Sequence, residues 1–429
     1  MEDFKYVPTV IEINKTDFDY KDDENIIISD NIKLPNMNLG FLHNIYIFKN
    51  KYEIPAIQEK LKHNSMLKHI TNNFEHSNEL SNSVKKIFDM KSNIISRAFY
   101  KLWEILYYFP EIINTSVNKI NCLSLGEAPC GFVQCLLTFR DAYVLNNKDT
   151  YYTISIYDKI VMNTNFKKFC STLKPSKVFD IKTHPQNDLD KNTTNGDLTK
   201  FGTLLYLKNK FKNEKFDIIT ADGGFEWKNE NYQEQEFYLL MLGEIINAIT
   251  FQKIGGCFIL KVFDIYTNIT VRFIEILKTM YKKVYLIKPL MSRETNSEKY
   301  LICCDFIDNS NKDKLLNLFK KLEIKNEQQY YLHNIYNENI NEMLKDLIST
   351  FNISLLNKQL VSINNHIEFI NSNDYQGLKY QSYIQNQKKA IEFWKKTFLI
   401  KNKNEMEKQR IKLNNYIKEI TKEIKKISI

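Results

Sequence analysis

Glycine and proline are scarce in this chain, 11 and 8 among 429 residues. That shortage excludes a collagen-like or loop-dominated protein. The seven cysteines, Cys122, Cys130, Cys135, Cys170, Cys257, Cys303 and Cys304, form no Cys-x-x-Cys pair, and none of the seven histidines stands at metal-ligand spacing. A zinc site is not expected, and no metal is assigned. Most of the cysteines lie in apolar stretches, as buried thiols of a reducing compartment do. No apolar run approaches the ~20 residues that a membrane-spanning helix needs. The opening residues lack the basic-then-apolar order of a secretory signal. The expected protein is soluble and intracellular, in the cytoplasm with the nucleus as the alternative, and has no membrane partner.

The apolar fraction, 43%, is ordinary and allows a proper core. Net charge is +9, but it is unevenly placed. From Gln387 onward there are 13 Lys/Arg against 5 Asp/Glu, which leaves the preceding residues close to neutral. A basic tail attracts a polyanion such as RNA, and equally describes a solvated helix face. Within it Leu413, Ile417, Ile420, Ile424 and Ile427 recur at alternating spacings of four and three. That spacing puts them on one helix face with lysines opposite, a face suited to docking on the chain's own domain, with a partner-binding helix as the alternative.

Three regions are expected: an N-terminal extension, 1–82; a central domain, 83–306; and a helical, C-terminally basic extension, 307–429. The central region alternates short β-like runs with helical patterns, which predicts a mostly parallel α/β sheet. Helices are predicted over Val84–Leu106, Phe132–Val144, Gln233–Phe251 and Ile269–Met280. Strands are predicted over Ile120–Leu125, Tyr152–Tyr157, Val178–Lys182, Phe216–Thr220 and Gly256–Val262. Lys283–Ile287 and Lys299–Phe306 read as two closing strands.

Five features carry chemistry. The turn Leu125-Gly126-Glu127-Ala128-Pro129-Cys130-Gly131-Phe132 follows a strand and opens a helix, so its backbone can approach a ligand at free N–H groups. It is not a Gly-x-Gly-x-x-Gly, and a nicotinamide dehydrogenase fits poorly. Asp158 and Asp197 follow the next two strands, where an acid can hold ribose hydroxyls, or simply cap a turn. Asp222 ends an apolar strand and is followed by Gly223-Gly224, which opens space at the carboxyl edge of the sheet. Lys261 interrupts the apolar run Cys257–Phe263, a costly place for an ammonium unless it is paired or reaches water. Ser292-Arg293-Glu294-Thr295-Asn296-Ser297-Glu298-Lys299-Tyr300 is a dense polar loop between the two closing strands.

Asp222 in Ala-Asp-Gly-Gly, Lys261 after Gly255-Gly256, and Glu298 in Asn-Ser-Glu-Lys-Tyr resemble the FtsJ-like ribose 2'-O-methyltransferases. The resemblance is closest to the branch that acts on the first transcribed nucleotide of capped mRNA. The family's fourth group, a lysine on the helix before the glycine turn, is matched by Lys101. Cys130 departs from the pattern, standing where a glycine is common. The long C-terminal extension is similar to versions encoded by large cytoplasmic DNA viruses.

The resemblance implies a Rossmann-like methyltransferase sheet closed by an antiparallel hairpin, with helical extensions at both ends. It implies S-adenosylmethionine as cofactor, held by Gly126, Pro129, Gly131, Phe132, Asp158, Asp197 and Asp222. It implies Lys101, Asp222, Lys261 and Glu298 as catalytic groups, and Arg293, Asn296 and Ser297 on the substrate. The partner is RNA, the 5' end of capped mRNA, with a capping enzyme or the transcription machinery as a further partner. The alternatives are a ribosomal RNA acceptor, or an inert RNA-binding or scaffold subunit on the same fold.

The implied chemistry suits these residue types. A ribose 2'-hydroxyl is a feeble nucleophile that must be aligned and relieved of a proton. A lysine of lowered pKa can do both. A second lysine and a sulfonium nearby lower it, whereas Asp222 and Glu298 oppose that shift and hold the lysines in place.

Overall fold

The computed structural model describes residues 6–13, 24–75, 78–156, 178–180, 195–224, 229–308, 311–325, 331–336, 339–373 and 375–427. The N-terminal third contributes β1 (Thr9–Ile13), β2 (Glu24–Ser29), α1 (Leu39–Asn50), α2 (Pro55–His63) and α3 (Asn78–Ile87). The central part follows as α4 (Ala98–Tyr108), β3 (Asn121–Leu125), α5 (Gly131–Tyr143), β4 (Thr150–Ile154), β5 (Val178–Asp180), α6 (Phe201–Phe211), β6 (Phe216–Ala221), α7 (Gln233–Phe251), β7 (Gln252–Val262), α8 (Asn268–Met280), β8 (Tyr281–Lys288) and β9 (Lys299–Phe306). The chain ends with α9 (Asn311–Lys325), β10 (Tyr331–Tyr336), α10 (Glu342–Ser372), α11 (Leu378–Phe398) and α12 (Lys403–Ile427).

The main sheet runs β1-β8-β9-β7-β6-β3-β4-β5. Strands β3 to β7 are mutually parallel where they pair, and β9 lies antiparallel between β7 and β8. This is the expected methyltransferase-like sheet with its closing hairpin. The paired parallel strands are apolar because both of their faces are covered. Successive residues point to opposite faces. Leu123, Ile219, Phe258 and Leu260 join the core under α7 and α8, while Cys122, Ile218, Cys257 and Ile259 join the core shared with α4, α5 and the C-terminal helices.

Two expectations are revised. The predicted helix Val84–Leu106 is two helices, α3 and α4, separated by ten residues that begin with Phe88 and Asp89. Asp89 takes a left-handed backbone (φ 52°) and ends α3. The intervening segment crosses the start of α5, where Gln134 Nε2 donates to Asn93 O at 2.8 Å. At that crossing a Cβ on Gly131 would stand 2.2 Å from Ser96 Oγ and 3.0 Å from Ala98 Cβ, so a larger residue would push the segment away. Second, residues 9–13, to which the sequence assigned no role, form the eighth strand: Thr9–Ile13 pair antiparallel with Lys288–Val284.

The C-terminal helices dock on the domain, as the spacing of their apolar residues predicts. Leu413 and Ile417 are buried, and Ile420 packs against the same core. Arg410 is buried too, and its guanidinium donates to Leu106 O, Pro110 O and Ile113 O at the end of α4. No helix among the described residues is long and apolar enough to cross a membrane.

Candidate active site

Four elements bring Lys101, Asp222, Lys261 and Glu298 to one edge of the sheet. Asp222 leaves the carboxyl end of β6, and Lys261 lies next to last on the neighbouring β7. Glu298 immediately precedes β9, which runs the opposite way and so starts at that same edge; Lys261 and Tyr300 are cross-strand partners. Lys101 reaches in from the first turn of α4. Lys101 Nζ lies 2.5 Å from Glu298 Oε1, and Lys261 Nζ lies 3.2 Å from Asp222 Oδ1. Lys261 also donates to Asp222 O at 2.7 Å. The two pairs are joined by a residue outside the expected set: Tyr300 Oη is 3.3 Å from Asp222 Oδ1 and 3.2 Å from Glu298 Oε1. The chain of contacts therefore reads Lys101, Glu298, Tyr300, Asp222, Lys261.

Burial sets the electrostatics. It would raise the Glu298 pKa, but Lys101 and Lys261 more than offset it and hold the carboxyl at about 2. It would lower the Lys261 pKa, yet Asp222 and Glu298 outweigh it and leave the ammonium favoured. The lysine of lowered pKa expected from the chemistry is therefore not this lysine as the protein stands: the acids win. Two further buried carboxylates escaped the sequence reading. Glu127 and Glu244 are both pushed up to about 8, chiefly by burial, with Asp222 adding to the shift. Each keeps one oxygen, Oε2, without a hydrogen-bond partner among the described residues. The other oxygen of Glu127 accepts from Phe132 N at 2.8 Å and caps α5. Glu244 Oε1 accepts from Gly223 N at 3.2 Å.

The glycine turn sits against this cluster. Gly126 has a left-handed backbone (φ 62°), and a Cβ there would come within 2.8 Å of Gly223 Cα. The loop after β3 can therefore come this close to the loop after β6 only because residue 126 is glycine, while a Cβ on Gly223 would meet Glu244 Oε1 at 2.3 Å. Pro129 follows a cis peptide bond. Cys130 takes φ 73°, which explains why glycine is easier there, and its thiol donates to Glu127 O at 2.9 Å. Phe132 packs against Tyr300 with ring centroids 5.8 Å apart.

The remaining expected residues serve the loops. Asp197 Oδ1 accepts from Thr199 N (2.9 Å) and Thr199 Oγ1 (2.6 Å), which closes its own turn. Asp158 lies outside the described residues. Arg293 grips Glu75 through two hydrogen bonds of 2.8 and 2.9 Å, and Glu75 also holds Arg97. Asn296 accepts from Lys288 Nζ through both its side-chain and backbone oxygens, at 3.0 and 2.8 Å. Lys288 also donates to Ser292 Oγ and Glu298 O; burial lowers its pKa to about 7. Ser297 Oγ is 3.3 Å from Gln233 Oε1. Beside this loop lies a cleft of about 340 Å³, with Tyr6, Asn72, Phe74, Arg293 and Lys358 in its walls.

The central part of the chain is similar to known proteins. The FtsJ-like methyltransferase family model matches residues 94–306, from just before Lys101 to the end of β9. Those residues are an FtsJ-like methyltransferase domain. The chain is similar to the cap-specific mRNA (nucleoside-2'-O-)-methyltransferase 1 of Trypanosoma brucei brucei, 34% identical over 26% of this chain and 31% of the relative. It is similar to cap-specific mRNA (nucleoside-2'-O-)-methyltransferase 2 of Drosophila melanogaster, 25% identical over 62% of this chain and 36% of the relative. The chain thus spans about a third of the length of these curated relatives. Among solved structures, human methyltransferase-like protein 13 with SAH matches at 12% identity and a TM-score of 0.29, over 52% of this chain and 92% of that one. The methyltransferase domain thus takes in all four expected catalytic residues and the glycine turn.

Proposed function

We propose that this protein transfers a methyl group from S-adenosylmethionine to a ribose 2'-hydroxyl of RNA, namely the first transcribed nucleotide of capped mRNA. The observation that carries the reading is the linked set of Lys101, Glu298, Tyr300, Asp222 and Lys261 at one sheet edge. The named relatives, both cap-specific, favour mRNA as the acceptor over ribosomal RNA.

The residues present fit the cofactor. S-adenosylmethionine supplies an electrophilic methyl on a sulfonium and carries a second positive charge on its amino group. Around the glycine turn lie Asp222, Glu127 and Glu244, and the last two keep unpartnered buried oxygens. Buried acids without enough counter-charge are what a ligand of net positive charge complements, here a sulfonium and an ammonium against one carboxylate. Gly126 to Phe132 and Asp222 would hold it.

The chain's own groups then act on the acceptor. Lys261 presents an ammonium fixed by Asp222, so it can orient a hydroxyl oxygen as a donor. To accept a proton it must first lose one, and positive charge brought close to Asp222 favours that loss. Glu298 holds Lys101 beside it, and Tyr300 keeps the two acids at a set separation. The cleft beside the polar loop offers Lys358 to phosphates and Tyr6 to bases, while Arg293 in its wall is held by Glu75.

The test is methyl transfer to short RNAs that differ only in the cap, followed by nuclease mapping of the product. Transfer to the first nucleotide of capped RNA is expected. Equal transfer to uncapped RNA removes the cap assignment, and none to any RNA removes the activity.

A further inference from the structure

Arg97, Lys101 and Glu104 follow one another at spacings of four and three, so they share one face at the start of α4. All three bind the loop between β8 and β9. Arg97 Nη2 donates to Met291 O at 2.5 Å. Lys101 pairs with Glu298 at the far end of the loop. Glu104 is fully buried, and its two oxygens accept from Leu290 N and Met291 N, each at 2.8 Å. A third donor comes from far along the chain: the indole of Trp394, on α11, donates to Glu104 Oε1 at 3.0 Å.

We propose that Glu104 is a positioning residue for the methyl transfer, and that Trp394 makes the C-terminal extension part of that device. The inference rests on the function proposed above. Lys101 and Glu104 hold the two ends of the loop against a single helix face, so the place of Glu298 depends on both. Glu104 touches neither Glu298 nor Lys261; it acts by fixing the turn that leads to Glu298. A carboxylate suits this place because its two oxygens meet two parallel backbone N–H groups. Glutamine would turn an NH2 toward one of them and leave a buried donor unpaired. A shift of about 1 Å at a reacting centre costs on the order of 10²-fold in rate.

The experiment compares full-length wild type, Glu104→Gln, Trp394→Phe and Trp103→Phe in methyl transfer, with melting curves alongside. Trp103 is the control. Its indole donates to Phe398 O at 2.7 Å in the same α4–α11 interface, without touching the loop. Glu104→Gln should lower kcat by about 10²-fold while KM for RNA changes little. Trp394→Phe should lower kcat severalfold. Trp103→Phe should keep kcat within about twofold even where its melting point falls as far as that of Trp394→Phe. Hydrogen exchange should quicken at Leu290 and Met291 in Glu104→Gln and Trp394→Phe only. Wild-type kcat in Glu104→Gln, or equal losses in the two tryptophan variants, overturns the proposal and leaves the activity standing. A wild type that transfers no methyl overturns both.

Discussion

Lys261 is where the proposed chemistry is most exposed to refutation. The residue is 9% accessible, and its ammonium is the counter-charge shared by Asp222, Glu298, Glu127 and Glu244. Removing it strands acids that burial already penalises. Breaking a buried ion pair from one side costs about 3–5 kcal/mol, so Lys261→Ala should be poorly folded and says little about chemistry. Lys261→Arg is the informative change. It keeps the charge and the contact with Asp222 but cannot accept a proton, because a guanidinium titrates above about 12. The space is limited but not closed, since Nζ would stand 3.5 Å from a Cβ on Gly224. A general base contributes about 10²–10⁴-fold, and single-turnover methyl transfer should fall by that much in Lys261→Arg. Cofactor affinity by calorimetry should stay close to wild type. Because the acids raise the Lys261 pKa, the wild-type rate without saturating cofactor should climb as pH rises above neutrality. A well-folded Lys261→Arg protein with near-normal turnover, or a wild-type rate flat from pH 7 to 10, removes Lys261 as the base.

Cys130→Gly should relieve a left-handed backbone and raise stability by about 1 kcal/mol, less whatever the lost thiol contact contributed, with kcat unchanged; a lower melting point refutes the strain. Glu127 has a folded pKa of about 8, above its ordinary 4.5, so its protonation favours the fold. That contribution is complete below pH 4.5 and is lost as pH rises through about 8. Glu127→Gln, which keeps an acceptor for Phe132 N, should therefore flatten the fall in melting temperature between pH 6 and 8.5 while weakening cofactor binding; an unchanged pH slope rejects the assignment. Arg410→Ala removes a buried guanidinium that satisfies three carbonyls at the end of α4, and should destabilise by at least about 3 kcal/mol in chemical denaturation. A loss below about 1 kcal/mol would show that the C-terminal helix merely rests on the domain.

The sequence shows the parts of the site that depend on local order. Asp222 is legible because an apolar strand runs into Asp-Gly-Gly, and Lys261 because an ammonium breaks an apolar run. Glu298 and Lys101 become legible through the family pattern around them. Tyr300 stood in the quoted motif, but nothing local marks its hydroxyl as the link between two acids. Glu104 reads as one more charge on an amphipathic helix, since its partners lie some 190 and 290 residues away. The same distance hid β1, whose five residues look like an isolated apolar run until β8 is there to pair with them. Arg293 shows the opposite error: an arginine in a polar loop suggests a free cation for RNA, whereas two of its donors already hold Glu75.

The pairing of β1 with β8 has a consequence for synthesis. Strand β1 finds its partner only after Lys288 has been made, and the face of α4 that meets Trp394 and Arg410 is not covered until those residues follow. Domains commonly fold as units while the chain is still growing. Here β1 waits unpaired until β8 has been made, and one face of α4 waits for α11 and α12. A chain without α12 would leave uncovered the apolar face on which Leu413 and Ile417 pack and the carbonyls that Arg410 satisfies, surface for chaperones and proteases to find.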